Sequence, residues 1–212
     1  MQPLDLFQIA VLIFSVVLHE VAHGYMANYL GDPTARLAGR LTLNPISHID
    51  LFGSVILPGL LIITNSPFLI GYAKPVPVNP YNLSGRFDEA KVAFAGPGTN
   101  IVIALIFGLV IRFFGGSLSS VLVEALVFIV FINLLLALFN LVPIPPLDGS
   151  KVLSSILPEP LASAYDGLRE KLERLGIVSG LLIIVFVFYF FLAPYFSIIL
   201  RFFINLITGI PL

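Results

Sequence analysis

Two histidines four residues apart enclose a glutamate in His19-Glu20-Val21-Ala22-His23. Residues i and i+4 share one face of a helix, so both imidazoles can reach a single metal ion. Glu20, beside the first of them, is placed to take a proton from a water polarised by that ion. With three His and six Glu in the chain, chance supplies about 0.001 copies of the pattern, a low false-positive rate for such a motif. The plain alternative is a satisfied pair of core histidines with no metal. Location weighs against it, because an unpaired charge in an apolar membrane helix costs at least about 2.5–3.5 kcal/mol.

Catalytic zinc takes three protein ligands and leaves a fourth position for water, so the pattern asks for another His, Asp or Glu at the same depth. The candidates are Glu124, Asp148 and, if its loop dips inward, His48. Asp148 stands in Phe139-Asn140-Leu141-Val142-Pro143-Ile144-Pro145-Pro146-Leu147-Asp148-Gly149, a proline-broken stretch after a long apolar run. Irregular backbone at membrane depth is tolerated only where protein buries it or it lines a cavity, which suits a ligand. The same aspartate also fits an ordinary N-cap for a helix starting near Ser150.

These residues must be positioned by an unusually apolar chain. Of 212 residues 58% are hydrophobic and 11% charged, with mean hydropathy +1.03; soluble domains have about 45–50% and about 25%. A water-soluble globular protein is excluded, and so is a disordered chain, which lacks such a load of large apolar side chains. The net charge of −1 offers no field for nucleic acid. Cysteine is absent, which removes disulfides, thiolate metal sites and a cysteine nucleophile. The first cation is Arg36, so the first apolar stretch lacks a signal peptide's basic start and is expected to remain as a helix.

Leu6 to Leu30 reads as that helix, stopped by Gly31-Asp32-Pro33. Arg40-Leu41-Thr42-Leu43 alternates as a short strand would. Leu51 to Ile70 is apolar but broken by Pro58, Gly59, Asn65 and Pro67, and Lys74 to Pro80 is extended because its prolines forbid a helical ladder. Val92 to Ile111 and Ala125 to Leu147 are long enough to span, the second breaking near Val142. Between Pro158 and Gly176, Leu161, Tyr165, Leu168, Leu172 and Leu175 form one apolar stripe among charges, a helix lying on the membrane surface or packed on loops. Ile177 to Leu200 is an uncharged span, divided by Pro194 from a last apolar segment. The expectation is one all-α polytopic membrane domain with about five to six transmembrane helices. Its core covers about residues 6–157, a surface helix about 158–176, and C-terminal membrane helices about 177–210.

His19-Glu20-Val21-Ala22-His23 in one membrane helix, with Asn140, Pro143 and Leu147-Asp148-Gly149 over a hundred residues later, resembles the site-2 protease family of intramembrane zinc metalloproteases. Ala95-Gly96-Pro97-Gly98-Thr99-Asn100 is similar to the family's glycine-proline motif; close helix packing through small residues accounts for it as well. The resemblance implies a fold with the site on core helices, one Zn2+ ion held by His19, His23 and Asp148, and Glu20 as general base. Asn140 is then the polar residue that positions substrate or stabilises the oxyanion. It further implies a transmembrane peptide substrate in the lipid bilayer and hydrolysis of the regulated intramembrane kind. The chain is similar to the small bacterial and archaeal forms without PDZ or CBS domains, which points to a prokaryotic cell membrane.

Topology constrains this reading. Asp148 can meet the histidines only if the first helix and the Ala125 span end on the same side of the membrane. The Val92 and Ala125 spans make one out-and-back excursion, so residues between Gly31 and Lys91 must cross an even number of times. Leu51 to Ile70 is therefore expected to be a re-entrant hairpin that returns through the extended Lys74–Pro80 segment, and such an extended segment needs shelter within protein. Arg36, Arg40, Lys74, Arg86, Lys91, Lys151, Arg169, Lys171 and Arg174 then share one side, cytoplasmic by the positive-inside rule, with the site nearer that face. The extended segment either offers an edge for a substrate strand or is a structural loop packed against the bundle, and His48 is expected either at the mouth of the site or in a turn. The competing class is a non-catalytic zinc-binding scaffold or a metal transporter. A transporter calls for scattered ligands and repeated halves; the sequence has one cluster and no repeat.

Overall fold

The computed structural model describes residues 3–64, 72–174 and 176–210. Helix α1 (Pro3–Tyr29) contains no internal proline and ends where expected. Gly31 N–H donates to Asn28 and Asp32 N–H to Ala27, the paired bonds of a Schellman cap. Short α2 (Thr34–Leu37) follows. Residues 40–44 are irregular rather than a strand, because no partner strand lies beside them to complete a ladder among the described residues.

A π-helical turn (Leu51–Ile56) continues into α3 (Leu57–Ile63). Residues 65–71, which hold the tip of the expected re-entrant hairpin, lie outside the described residues. Its two limbs are described, and they meet: Tyr72 N–H donates to Gly53 O, Tyr72 O accepts from Ser54 Oγ, and Lys74 N–H donates to His48 O. The chain thus leaves and returns at one place, and 72–79 runs extended as its prolines require.

Helix α4 (Asp88–Phe114) is the central element, packed against α1, α5 (Ser120–Asn140), α6 (Asp148–Ile156) and α9 (Ala193–Thr208). Ala104 and Ile111 of α4, Leu126, Val130 and Leu134 of α5, and Leu200, Ile204 and Ile207 of α9 form the buried cluster. Helix α7 (Glu159–Arg174) is tied to α4 by Arg169–Glu89 at 3.4 Å and to α6 by Ser154 Oγ donating to Asp166 at 2.7 Å. Leu161 and Leu168 on its apolar stripe stay exposed.

Four helices among the described residues are long and apolar enough to cross a membrane: Leu6–Tyr29, Asp88–Ser117, Ser120–Asn140 and Leu182–Thr208. The all-α polytopic class stands, with these four as the candidate spans among the described residues. Helix α3 is by itself too short to span. Pro194 sits in the first turn of α9, and a π-helical turn (Phe188–Leu192) joins that helix to α8 (Ile177–Val187). Proline is tolerated in a first turn, where its missing N–H has no intrahelical partner to lose.

Candidate metal centre

The interior of α1 presents His19 and His23 as buried side chains whose rings meet edge to face at 4.7 Å. Asp148 is the first residue of α6, just past the proline-broken exit of α5. It caps nothing; its Oδ2 lies 3.1 Å from His19 Nε2 and 3.2 Å from His23 Nε2. One ligand atom from each of the three lies within 4.8 Å of the others. The remaining ring nitrogens are occupied by His23 Nδ1 donating to Val92 O at 2.7 Å and by His19 Nδ1 contacting Asn100 Oδ1 at 2.7 Å. Each imidazole therefore turns Nε2 toward one common point, with Nδ1 held by an oxygen behind it, the arrangement expected of metal-ligating histidine. Two imidazoles and a carboxylate are a donor set suited to zinc with an open fourth position.

Helix α4 forms the wall behind the triad. A Cβ on Gly96 would lie 2.5 Å from His23 Nε2 and 2.6 Å from His19 Nε2. The glycine-proline stretch is thus more than a packing surface: Gly96 leaves the space in which the ligand atoms converge, Val92 supplies a carbonyl, and Asn100 a side-chain oxygen. Asn100 is itself bonded to Asn133 of α5, and Asn133 to Ser15 of α1. Sequence reading passed over Asn133 and Ser15 because it followed ionisable residues. The available signal was an amide inside the otherwise apolar Ala125–Phe139 run.

A cleft of about 370 Å³ opens onto the triad, lined also by Glu20, Val76, Val78, Asn140 and Lys151. Glu20 sits one residue from His19, and its Oε2 accepts from Val76 N–H at 2.9 Å. Asn140, the last residue of α5, donates from Nδ2 to Leu136 O at 3.0 Å. The extended segment is fastened at its far end by Asp32, which is fully buried and accepts from Asn79 N–H and Asn82 Nδ2, both at 2.7 Å, and from Thr34. Burial raises the Asp32 carboxyl, and these bonds more than reverse it, leaving it below its ordinary value.

The other two third-ligand candidates are elsewhere. Glu124 is exposed near the opposite end of α5 from Asn140. His48 is buried, but its Nε2 bonds Thr42 O at 2.9 Å and its backbone carbonyl holds Lys74; it braces the turn rather than the metal centre.

The profile of Peptidase family M50 matches residues 7–121 and 115–187. YwhC of Bacillus subtilis is 36% identical over 196 residues, 86% of this chain and 83% of its own. Rip2 of Mycolicibacterium smegmatis is 32% identical over 65% of this chain and 52% of its own. Both bear provisional zinc-metalloprotease names. Zinc metalloprotease MJ0392 of Methanocaldococcus jannaschii is 24% identical over 84% of this chain and 41% of its own. No solved structure matches the chain.

Proposed function

The chain belongs to peptidase family M50, the site-2 protease family, and is a membrane-embedded zinc metalloprotease; from that premise we propose that it hydrolyses peptide bonds in or beside transmembrane segments. The observation that carries this reading is one cleft, in a bundle of apolar helices, lined by His19, His23, Asp148, Glu20 and Asn140. His19 and His23 through Nε2, and Asp148 through its carboxylate, would hold one zinc ion. When bound, zinc polarises a carbonyl and brings the pKa of water toward neutrality.

Glu20 moves the protons. Val76 N–H occupies Oε2, which leaves Oε1 to accept a proton from the attacking water and to return it to the departing amine. Asn140 keeps one amide hydrogen on Leu136 O; the other is available to the substrate carbonyl, where charge develops. The 72–79 segment docks the substrate. Tyr72, Lys74 and Val76 direct their N–H groups into the protein, so by strand alternation the backbone of 73, 75 and 77 faces away. Two of those three are prolines, and this edge therefore offers mainly carbonyls. It suits the N–H groups of an unwound substrate and resists pairing with its own kind. The reading puts the site nearer the cytoplasmic face of a prokaryotic cell membrane, an orientation supported by the lysines and arginines that flank it.

Purified protein is incubated with a panel of single-span reporter substrates beside Glu20→Gln. We expect cleavage to fall by about 10²–10⁴-fold with zinc content unchanged. Persisting cleavage in Glu20→Gln would remove it as the base, and zinc-bound protein that cuts no member of the panel would be a scaffold.

A further inference from the structure

A line of uncharged polar groups crosses the bundle behind His19. Asn100 and Asn133 are both fully buried, and Ser15 nearly so. Amide side chains have a direction, and here each oxygen can only accept. Asn133 Nδ2 lies 2.9 Å from Ile129 O and 3.0 Å from Ser15 Oγ. Ile129 O is a main-chain carbonyl, so the nitrogen of Asn133 must face it and Oδ1 must face the other way. There Oδ1 meets Asn100 Nδ2 at 2.8 Å, whose second hydrogen goes to Ser15 O at 3.3 Å. With its nitrogen so engaged, Asn100 has only Oδ1 to present to His19 Nδ1. An oxygen there demands that Nδ1 carry the hydrogen, and Nε2 is left with the lone pair that a metal needs.

We propose that Asn133 is a positioning residue for zinc: acting through Asn100, it fixes the tautomer in which His19 offers Nε2 to the ion. The inference rests on the zinc site proposed above. Both amides are shielded from bulk solvent, and reversal of Asn100 would set oxygen against oxygen at both Asn133 and Ser15. The directional chain begins at the Ile129 carbonyl of α5 and ends on α1, so a helix that contributes no ligand governs ligand chemistry. Simple gluing of helices by hydrogen bonds is the alternative, and it makes a different prediction. Ser15 Oγ is a glue contact that leaves the direction of Asn133 set by Ile129, whereas Asn133 itself sets direction.

The test measures zinc affinity of the purified full chain by competition with a chromophoric chelator. Asn133→Leu is expected to weaken zinc binding about tenfold, and Ser15→Ala to change it by less than about twofold, against the roughly 10–100-fold typical of direct outer partners. Asn100→Asp presents an oxygen to His19 whichever way it turns, while its other oxygen opposes Asn133 Oδ1 and Ser15 O, so adding Asn133→Leu in that background should cost less than about twofold more. Equal losses for Ser15→Ala and Asn133→Leu, or an undiminished loss in the Asn100→Asp background, would overturn the proposal. If Asn133→Leu alone does not fold, the comparison of Asn100→Asp with the double variant decides. If that fails too, the ring-nitrogen shifts of isotope-labelled histidine in the wild type decide, since hydrogen on His19 Nε2 contradicts it. A His23→Ala variant with unchanged zinc binding would instead sink the zinc site, a separate outcome.

Discussion

Gly96 shows how tightly single atoms are placed. Its missing side chain is the space in which two imidazole nitrogens converge, so the methyl of Gly96→Ala cannot be accommodated without turning at least one ring. We expect Gly96→Ala to lose more than about tenfold in zinc affinity, comparable with removing an outer-shell partner, while Gly98→Ala, whose Cβ meets only the Phe94 ring at 3.2 Å, stays near wild type. Metal analysis after dialysis reads the difference. At this scale the sequence was most informative where the chemistry is local: His19, Glu20 and His23 lie on one helix turn, and spacing alone puts them together. Asp148 was readable as a candidate among three. Asn133 was not, because an amide seven residues before Asn140 acquires meaning only when three helices are packed.

Among the elements, the extended segment is held at both ends and in the middle. Asp32 fastens Asn79, Val76 is bonded to Glu20, and Gly53 and His48 fasten Tyr72 and Lys74. Its prolines announced an extended shape, but the sequence gives no hint of which amides are engaged, since those partners lie 19 to 56 residues away. Asp32→Asn should lower Tm by several degrees at neutral pH, as expected when charged hydrogen bonds are lost. The sign with pH follows from the lowered carboxyl. A depressed pKa contributes stability above the unfolded value of about 3.9, and that contribution is lost as pH falls through the folded value. The Tm gap between wild type and Asp32→Asn should therefore narrow below about pH 4; a gap that widens on acidification refutes the assignment. Val76→Pro keeps the extended shape and removes the donor to Glu20. Turnover should fall about tenfold or more with zinc content intact.

For the whole molecule, the buried cluster of α4, α5 and α9 lies apart from the triad. Stripping zinc with a chelator should abolish proteolysis and leave helicity and elution volume unchanged, unlike small domains that fold only around their metal. Reporter fusions at Gly31 and Tyr72 should land on the same side of the membrane, because the two limbs of the 51–72 excursion meet; opposite sides would break the topology. Apolar runs announced the all-α polytopic class. A π turn that fuses α8 to α9 is a matter of backbone geometry that composition does not encode.

In the proposed function, the bond between Val76 and Glu20 joins the rail along which a substrate is threaded to the group that handles its protons. Grip and turnover then share one mechanical part. A substrate that seats badly along the rail drags the base out of register, so poor substrates are distinguished by slow cutting more than by weak attachment. Selection acting on Pro75 or Pro77 to change what is gripped would alter the speed of cutting in the same stroke.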